Sequence, residues 1–164
     1  MSEAGKIDPA EFRSTLGHFP TGVTVVTGMA GDQPVGMTIG SFTSVSLEPA
    51  LVAWLPTRDS ATWAQIKASG SFCANILSAH QGDVCGVFAS RSEDKFADVA
   101  WRAAGSGSPI IEGSLGWIDC DIDAIHPAGD HDIVVGAVRS LAVSGADDGP
   151  LVFFKGALGT FDAH

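Results

Sequence analysis

The chain has 164 residues, of which 45% are hydrophobic and 17% are charged, and its formal net charge is −10. This length and composition predict a single globular domain over residues 1–164 and exclude a disordered chain. The acidic balance argues against nucleic acid as a partner, because binding DNA or RNA needs a basic surface. Small anionic ligands are still compatible, since backbone amides and one or two cations can hold a phosphate.

Cysteine usage and the N-terminus bear on the cellular compartment. Cys73, Cys85 and Cys120 are an odd number without a CxxC spacing. Cys73 and Cys120 lie in strand-like runs, where cysteine is usually a small core residue. The polar N-terminus shows no signal peptide, and no stretch reaches the roughly 18 apolar residues of a membrane span. We therefore expect a reduced, cytoplasmic protein that does not contact membranes.

The first third of the chain predicts one helix and three strands. A helix begins after Asp8, which is a capping residue followed by Pro9 at the first position and Glu11 three residues after the cap. Val- and Thr-rich or apolar runs bounded by Gly or Pro are typical of strands. The strands predicted on this basis are 21–28, 35–47 and 50–56.

The rest of the chain predicts a second helix and further strands. "RDSATWAQIKASG" is a helix that Asp59 or Ser60 caps and that ends near Gly70. The elements predicted after it are a strand at 71–79, a short helix or turn at 80–89, a loop with a short helix at 90–101, two long strands around the turn "HPAGD" (126–130), and two short strands around Gly156.

Three aspartates alternate with apolar residues in "LGWIDCDIDAI". A period of two predicts that Asp119, Asp121 and Asp123 share one face of a strand and the apolar residues the other. Paired-carboxylate catalysis is one interpretation of these residues, but their regular spacing favours a solvated face.

Six to eight strands, few helices and hairpin-length connections predict a mainly β (α+β) fold, a closed or nearly closed antiparallel barrel. There is no GxGxxG motif and no pattern typical of a parallel doubly wound sheet. A nucleotide bound here would therefore not be held by a Rossmann unit.

The segment 36–46, "GMTIGSFTSVS", carries five hydroxyl groups and two glycines. The hydroxyls can hold a phosphate or a polar ring edge, and the glycines let a flat ligand approach the backbone. The alternative is an ordinary strand facing solvent. Strict alternation separates Ser41 from Thr38 and Ser44, so a bulge near Gly40 would be needed to bring the three together.

Other polar residues are candidates for ligand contacts. Asn75 is an amide inside an apolar strand, and it has to bond either to the backbone or to a ligand. Arg58, Arg91 and Lys95 are scarce cations in an acidic chain and could be partners for a phosphate.

The stretch "GDHDIVVGAV", residues 129–138, places an imidazole at the start of an apolar strand. His126, Asp130 and His131 lack a second cluster of ligands, so we expect no metal site. No GxSxG motif supports a hydrolase.

Four segments together resemble the short-chain NAD(P)H:flavin reductase family, which serves two-component flavin monooxygenases. They are "PTGVTVVTG", "GMTIGSFTSVSLEPALV", "SFCANILSAHQ" and "GDHDIVVGAV", and the resemblance extends from about Phe12 to Phe161. It implies a split β-barrel homodimer of the FMN-binding type, with a few short peripheral helices. The flavin, FMN or FAD, would be bound without a covalent bond.

The resemblance also implies roles for individual residues. The residues expected to contact the flavin are Thr38, Ser41, Ser44, Ser60, Thr62, Asn75, Ser90, Arg91, Lys95 and Phe96. Gly129, Asp130 and His131 match the motif associated with the nicotinamide cofactor, and His131 would lie at the dihydronicotinamide. The chain has no tyrosine, so stacking on the flavin would fall to residues such as Phe96 or Trp54.

The implied activity is hydride transfer from NADH or NADPH to FMN or FAD, with reduced flavin passing to a partner monooxygenase. This chemistry needs two rings held together rather than a protein nucleophile. The alternative is a module that binds or senses flavin without turnover, because one fold can host several functions. A nicotinamide motif favours the enzyme.

Overall fold

The computed structural model describes residues 5–145 and 147–164. The helices in these residues are α1 (Pro9–Leu16), α2 (Ala61–Ser69) and α3 (Gly82–Ala89). The strands are β1 (Thr21–Gly22), β2 (Thr24–Ala30), β3 (Gln33–Ile39), β4 (Thr43–Ser46), β5 (Leu51–Trp54), β6 (Ser71–Ile76), β7 (Trp101–Ala103), β8 (Pro109–Ile111), β9 (Gly116–Ala128), β10 (His131–Val143), β11 (Leu151–Phe154) and β12 (Ala157–Thr160).

Seven strands form an antiparallel sheet in the order β3-β2-β6-β9-β10-β5-β4. Its two edge strands, β3 and β4, are consecutive in the chain and are separated only by residues 40–42. Ile39 at one edge packs in the same buried cluster as Val52 and Trp54 of β5 near the other edge. The sheet therefore curls around one core, and the predicted antiparallel split barrel is confirmed.

The strand predicted at 35–47 is divided. β3 ends at Ile39 and β4 begins at Thr43, so the bulge expected near Gly40 is a full break between two edge strands. The break places Ser41 on a connection rather than within a strand. Consequently the period of two does not decide which side of the sheet its hydroxyl faces.

The helices begin and end largely as expected. The Asp8 carboxylate accepts a hydrogen bond from Ala10 N and caps α1. Ser60, not Asp59, caps α2, because its Oγ accepts from Trp63 N. The segment 80–89 contains helix α3, but the short helix predicted within 90–101 is absent, and residues 95–98 form a turn.

Two smaller sheets flank the barrel. One has the order β1-β11-β12 and is joined to the end of α1 by a hydrogen bond from Lys155 N to Gly17 O. The other is the β7–β8 hairpin, which the sequence analysis missed. Its strands have three residues each, too few to show a period.

The expected solvated face of aspartates is wrong at one position. Asp121 and Asp123 are exposed, but Asp119 is fully buried. Its carboxylate accepts hydrogen bonds from the backbone N–H and the hydroxyl of Ser106. The loop that contains Ser106 covers this carboxylate, and the alternation of residues in the strand gives no indication of that loop.

One glycine of the barrel is required by a close approach. A Cβ on Gly136 of β10 would lie 2.5 Å from Cζ of Phe72 and 3.0 Å from Cβ of Cys120. Glycine at this position therefore lets the Phe72 ring fill the barrel interior against the strand backbone.

Candidate functional site

The turn between β9 and β10 is fixed to the connection between β5 and α2. Gly129 in this turn has φ 63°, a left-handed conformation that favours glycine. His131 forms an antiparallel bridge with Thr57. On either side of the bridge, Arg58 N donates to Asp130 O at 3.0 Å and Asp132 N donates to Pro56 O at 3.0 Å. We call this clamped pair of segments, 56–58 and 130–132, the clip.

The His131 imidazole is half exposed on the clip. Its Nδ1 lies 2.7 Å from Oδ1 of Asp130, and the side chain is 39% exposed. This hydrogen bond lowers the pKa of the Asp130 carboxyl. Nε2 has no partner among the described residues and is free to meet a ligand.

Asp132 follows His131 but is buried at 5% exposure. Its Oδ2 accepts a hydrogen bond from Trp63 Nε1 at 2.9 Å, which ties the clip to helix α2. Its Oδ1 lies 3.5 Å from Nε of Arg58. The motif "GDHD" thus has an exposed carboxylate at Asp130 and a buried one at Asp132, and Asp132 anchors the turn.

Two of the predicted hydroxyls lie beside the same connection, residues 55–60. Ser41 Oγ accepts a hydrogen bond from Leu55 N at 3.0 Å. Ser60, at the other end of the connection, lies with its Oγ 3.9 Å from the sulfur of Met37 on β3. The structure therefore brings Ser41, Ser60 and His131 to one connection although they are far apart in sequence.

Two further predicted hydroxyls flank this group. Thr62 is half-buried in the first turn of α2, and Ser44 is exposed on edge strand β4, where it pairs with Val52. Neither side chain makes a hydrogen bond within the described residues, so both hydroxyls are available to a ligand.

A second group of predicted residues surrounds helix α3. Thr38 Oγ1 donates to Cys85 O at 2.8 Å, and Ser90 Oγ donates to Val87 O at 2.7 Å. Lys95 Nζ donates to the backbone carbonyls of residues 36 and 88 at 3.3 and 3.1 Å, which joins β3 to the end of α3. Partial burial lowers the pKa of Lys95.

Arg91 and Phe96 lie on the loop after α3 but differ in exposure. Arg91 is exposed and makes no ion pair with the described residues. Phe96 is buried at the edge of the core, with its ring centroid 4.9 Å from that of Phe88. Arg91 is therefore placed to meet solvent or a ligand, whereas most of the Phe96 ring packs inside.

Asn75 and Trp54 are both fully buried. The Asn75 amide donates to Val25 O and Pro109 O and accepts from Ile111 N, so the alternative of backbone bonding is favoured for it. Trp54 packs against Trp63 in the barrel core at 5.3 Å between ring centroids. The expectation that Trp54 could stack on a flavin is wrong, because its ring has no exposed face.

One further polar group was missed by the sequence analysis. The Thr21 hydroxyl oxygen is buried without a hydrogen-bond partner among the described residues, and it lies at Gly40, where a Cβ would be 2.9 Å from it. Thr21 and Gly40 line a cavity of about 380 Å³, together with Phe12, Arg13, Leu16, Gly17, Phe19 and Phe153. The signal was available in "PTGVTVVTG", which opens one residue before Thr21.

The chemistry of these groups is that of binding and orientation. Hydroxyls, backbone amides, one imidazole and the three cations Arg58, Arg91 and Lys95 surround the clip and helix α3. Over residues 5–145 and 147–164, no cluster of three or more His, Cys, Asp or Glu could hold a metal ion. In the same residues, no helix is long and apolar enough to cross a membrane.

Known proteins resemble this chain over almost its full length. Residues 16–162 match the flavin reductase like domain. A flavin reductase of Pseudomonas putida is 52% identical over 96% of this chain and 92% of its own. The reductase subunit HsaB of a flavin-dependent monooxygenase from Mycobacterium tuberculosis is 49% identical over 93% and 82%. The FMN reductase (NADH) SmoA of Agrobacterium fabrum is 43% identical over 92% and 84%.

Solved structures agree with the sequence relatives. Nitrilotriacetate monooxygenase component B from Mycobacterium thermoresistibile superposes with a TM-score of 0.91 at 44% identity, covering 93% of this chain and 86% of that one. The NADH:FAD oxidoreductase SgcE6 of Streptomyces globisporus superposes with a TM-score of 0.89 at 34% identity, covering 98% and 99%. The chain has the split barrel and the clip, and its residues 16–162 match the family model. It therefore belongs to the flavin reductase like domain family.

Proposed function

We propose that this protein is an NAD(P)H:flavin oxidoreductase that transfers hydride from NADH or NADPH to FMN or FAD. The observation that carries the proposal is the clip. It holds the His131 imidazole beside the 55–60 connection, which Ser41 contacts and which ends at Ser60. Relatives that match over most of their length carry the names flavin reductase and FMN reductase (NADH).

The flavin is assigned to the surface between the 40–42 connection, the first turn of α2 and the loop after α3. The residues proposed to contact it are Thr38, Ser41, Ser44, Ser60, Thr62, Ser90, Arg91, Lys95 and the exposed edge of Phe96. Asn75 contributes indirectly, because its hydrogen bonds hold together the strands that support the site. The hydroxyls of Ser44 and Thr62 and the exposed Arg91 guanidinium support the fit. None of them has a partner among the described residues, and a phosphate needs donors of this kind.

When bound, the flavin supplies the hydride acceptor, and the dinucleotide supplies the hydride and leaves oxidised. The chain supplies orientation. The backbone of Gly129 to His131 and the His131 imidazole are assigned to the dihydronicotinamide. The Asp130 carboxylate orients the imidazole through its hydrogen bond with Nδ1. A rigid site that holds two reactants in register accelerates such a transfer without a protein nucleophile.

The same proposal includes a partner monooxygenase that receives reduced flavin. Several relatives carry the name of a reductase subunit or component of a flavin-dependent monooxygenase. We place the protein in the cytoplasm as one domain over residues 1–164. Its three free, buried cysteines accord with a reducing compartment.

We also propose a homodimer. Exposed apolar side chains cluster on α1 and on the β11–β12 hairpin, among them Phe12, Leu16, Phe153 and Phe154. Contiguous apolar surface of this kind is typical of protein interfaces. Light scattering tests the proposal: a mass of about twice 16.8 kDa supports it, and a mass near 16.8 kDa contradicts it.

The second candidate function is a module that binds flavin without turnover. Anaerobic mixing of the protein with NADH and FMN or FAD separates the two functions. We expect oxidation of NADH that depends on protein and flavin, accompanied by bleaching of the flavin absorbance. Flavin that binds without bleaching by NADH or NADPH would overturn the enzyme proposal and favour the module.

A further inference from the structure

The two oxygens of the buried Asp132 carboxylate have different partners. Oδ2 accepts from the Trp63 indole N–H at 2.9 Å, and Oδ1 lies 3.5 Å from Nε of Arg58. A buried carboxylate has to be paired, and here helix α2 satisfies one oxygen and Arg58 the other. Asp132 is therefore fixed by Trp63, and its second oxygen forms an ion pair with Nε of Arg58.

Arg58 is restrained along its length but free at its end. Its backbone N–H donates to Asp130 O, its Nε faces Asp132, and the side chain is 55% exposed. Its two terminal nitrogens have no partner among the described residues. An arginine held by Nε presents the remaining N–H groups as a preorganised fork, which suits a phosphate.

Arg58 and His131 lie on the same rigid clip but on opposite faces of it. Because His131 pairs with Thr57, the next residue, Arg58, has its side chain on the other face, together with Asp132. A ligand that meets both groups therefore needs a ring and a phosphate joined by a spacer, such as the ribose of a pyridine nucleotide.

The charge around the clip makes a cation necessary for an anionic ligand. The chain has a net charge of −10, and the exposed carboxylates Asp59 and Asp130 flank Arg58. A phosphate that approaches the clip is repelled unless a local cation meets it. Arg58 is the cation that the backbone bonds of the clip place there.

We propose that Arg58 binds a phosphate of the pyridine dinucleotide and that Asp132 is the positioning residue that aims it. The inference rests on the proposed function. A flavin phosphate has the same chemistry and is the competing source, so the experiment has an arm for each.

The test compares Arg58→Gln, Arg58→Lys and Asp132→Asn with wild type at saturating flavin. NADH is one hydride donor, and reduced nicotinamide riboside, which lacks phosphate, is the other. We expect Arg58→Gln to raise the KM for NADH by about tenfold with kcat nearly unchanged, and to leave kcat/KM for the riboside unchanged. Arg58→Lys should retain part of the binding. Arg102→Gln, which removes a guanidinium stacked on Trp117, is the matched control and should behave as wild type.

The positioning role of Asp132 has its own readout. Asp132→Asn should raise the KM for NADH but not for the riboside, and in the Arg58→Gln background it should cause no further rise. A lower melting temperature with equal losses for both donors would mean that Asp132 only stabilises the fold.

Three results would overturn the proposal for Arg58. They are an unchanged KM for NADH, an equal loss for NADH and the riboside, or a weakened Kd for FMN with that for riboflavin unchanged, which would assign Arg58 to the flavin phosphate. If the wild type oxidises neither donor, the proposed function fails instead. Calorimetric binding of NAD⁺ to wild type and Arg58→Gln then still decides whether Arg58 holds the dinucleotide.

Discussion

The side-chain carbonyl of Asn75 accepts a hydrogen bond of 2.8 Å from the backbone N–H of Ile111, and so joins an inner barrel strand to the β7–β8 hairpin. The same amide donates to the carbonyls of Val25 and Pro109, at 3.2 Å each. Asn75 is therefore a brace between three strands.

Asn75→Ala leaves these buried backbone groups without a partner. We expect it to lower the free energy of unfolding by about 2–4 kcal/mol, measured by urea titration. Gln33→Ala, which removes an exposed amide on β3, is the control and should change stability by less than about 0.5 kcal/mol. If the folded Asn75→Ala protein keeps its stability but loses flavin affinity, Asn75 contacts the flavin directly.

His131→Ala removes the imidazole from the clip without removing the backbone bonds that hold it. We expect the KM for NADH to rise by about tenfold while the flavin Kd is nearly unchanged. The exposed His126 on β9 provides the control, since His126→Ala should match wild type in both constants. Equal loss of flavin and NADH binding in His131→Ala would refute a nicotinamide role.

Asp119 and Asp121 test the difference between a buried and an exposed carboxylate on one strand. Asp119→Ala removes the acceptor for the N–H and hydroxyl of Ser106, and we expect a loss of about 2–4 kcal/mol in stability. Asp121 pairs with Arg139 at the surface, so Asp121→Ala should leave the denaturation midpoint nearly unchanged. Equal midpoints for the two variants would contradict the burial of Asp119.

The three thiols are expected to be unreactive in the folded protein. Burial raises the pKa of Cys73 and Cys85, and it raises that of Cys120 to about 12. A thiol-specific chromogenic disulfide should therefore react slowly with the native protein near neutral pH and with three thiols after unfolding in guanidinium. Fast reaction of the native protein would contradict this.

The raised thiol pKa values also set a direction for alkaline stability. Unfolded thiols ionise near their usual pKa of 9.0, whereas folded Cys120 resists ionisation until about 12. The contribution to stability is complete below 9.0 and is lost as the pH rises towards the folded value. Melting temperatures should therefore fall above about pH 9, and Cys120→Ala should reduce that fall.

Local patterns predicted the elements whose evidence lies within a few residues. The cap at Ser60, the glycine that ends α2 and the long β9–β10 hairpin depend on neighbours in sequence, and all three are present. The motif "GDH" at a strand start likewise predicted where a half-exposed imidazole would lie.

Features that depend on distant partners could not be predicted in the same way. Asp119 is buried by a loop that its own strand pattern does not describe. Asn75 bonds to Val25, 50 residues away, so its sequence context left backbone and ligand as equal alternatives. The role of Asp132 depends on Trp63, which is 69 residues distant. Burial of a polar residue is thus a tertiary property, whereas capping and turn chemistry are local.

The division of residues 35–47 into β3 and β4 also protects the protein against edge-to-edge aggregation. A seven-stranded open sheet has two unpaired edges, and such edges can recruit further chains into aggregates. Here residues 40–42 connect one edge strand directly to the other, so the two edges are held near each other where β3 ends and β4 begins. Lengthening this connection would let the edges separate, so insertions at 40–42 should cause aggregation before they affect the rest of the barrel.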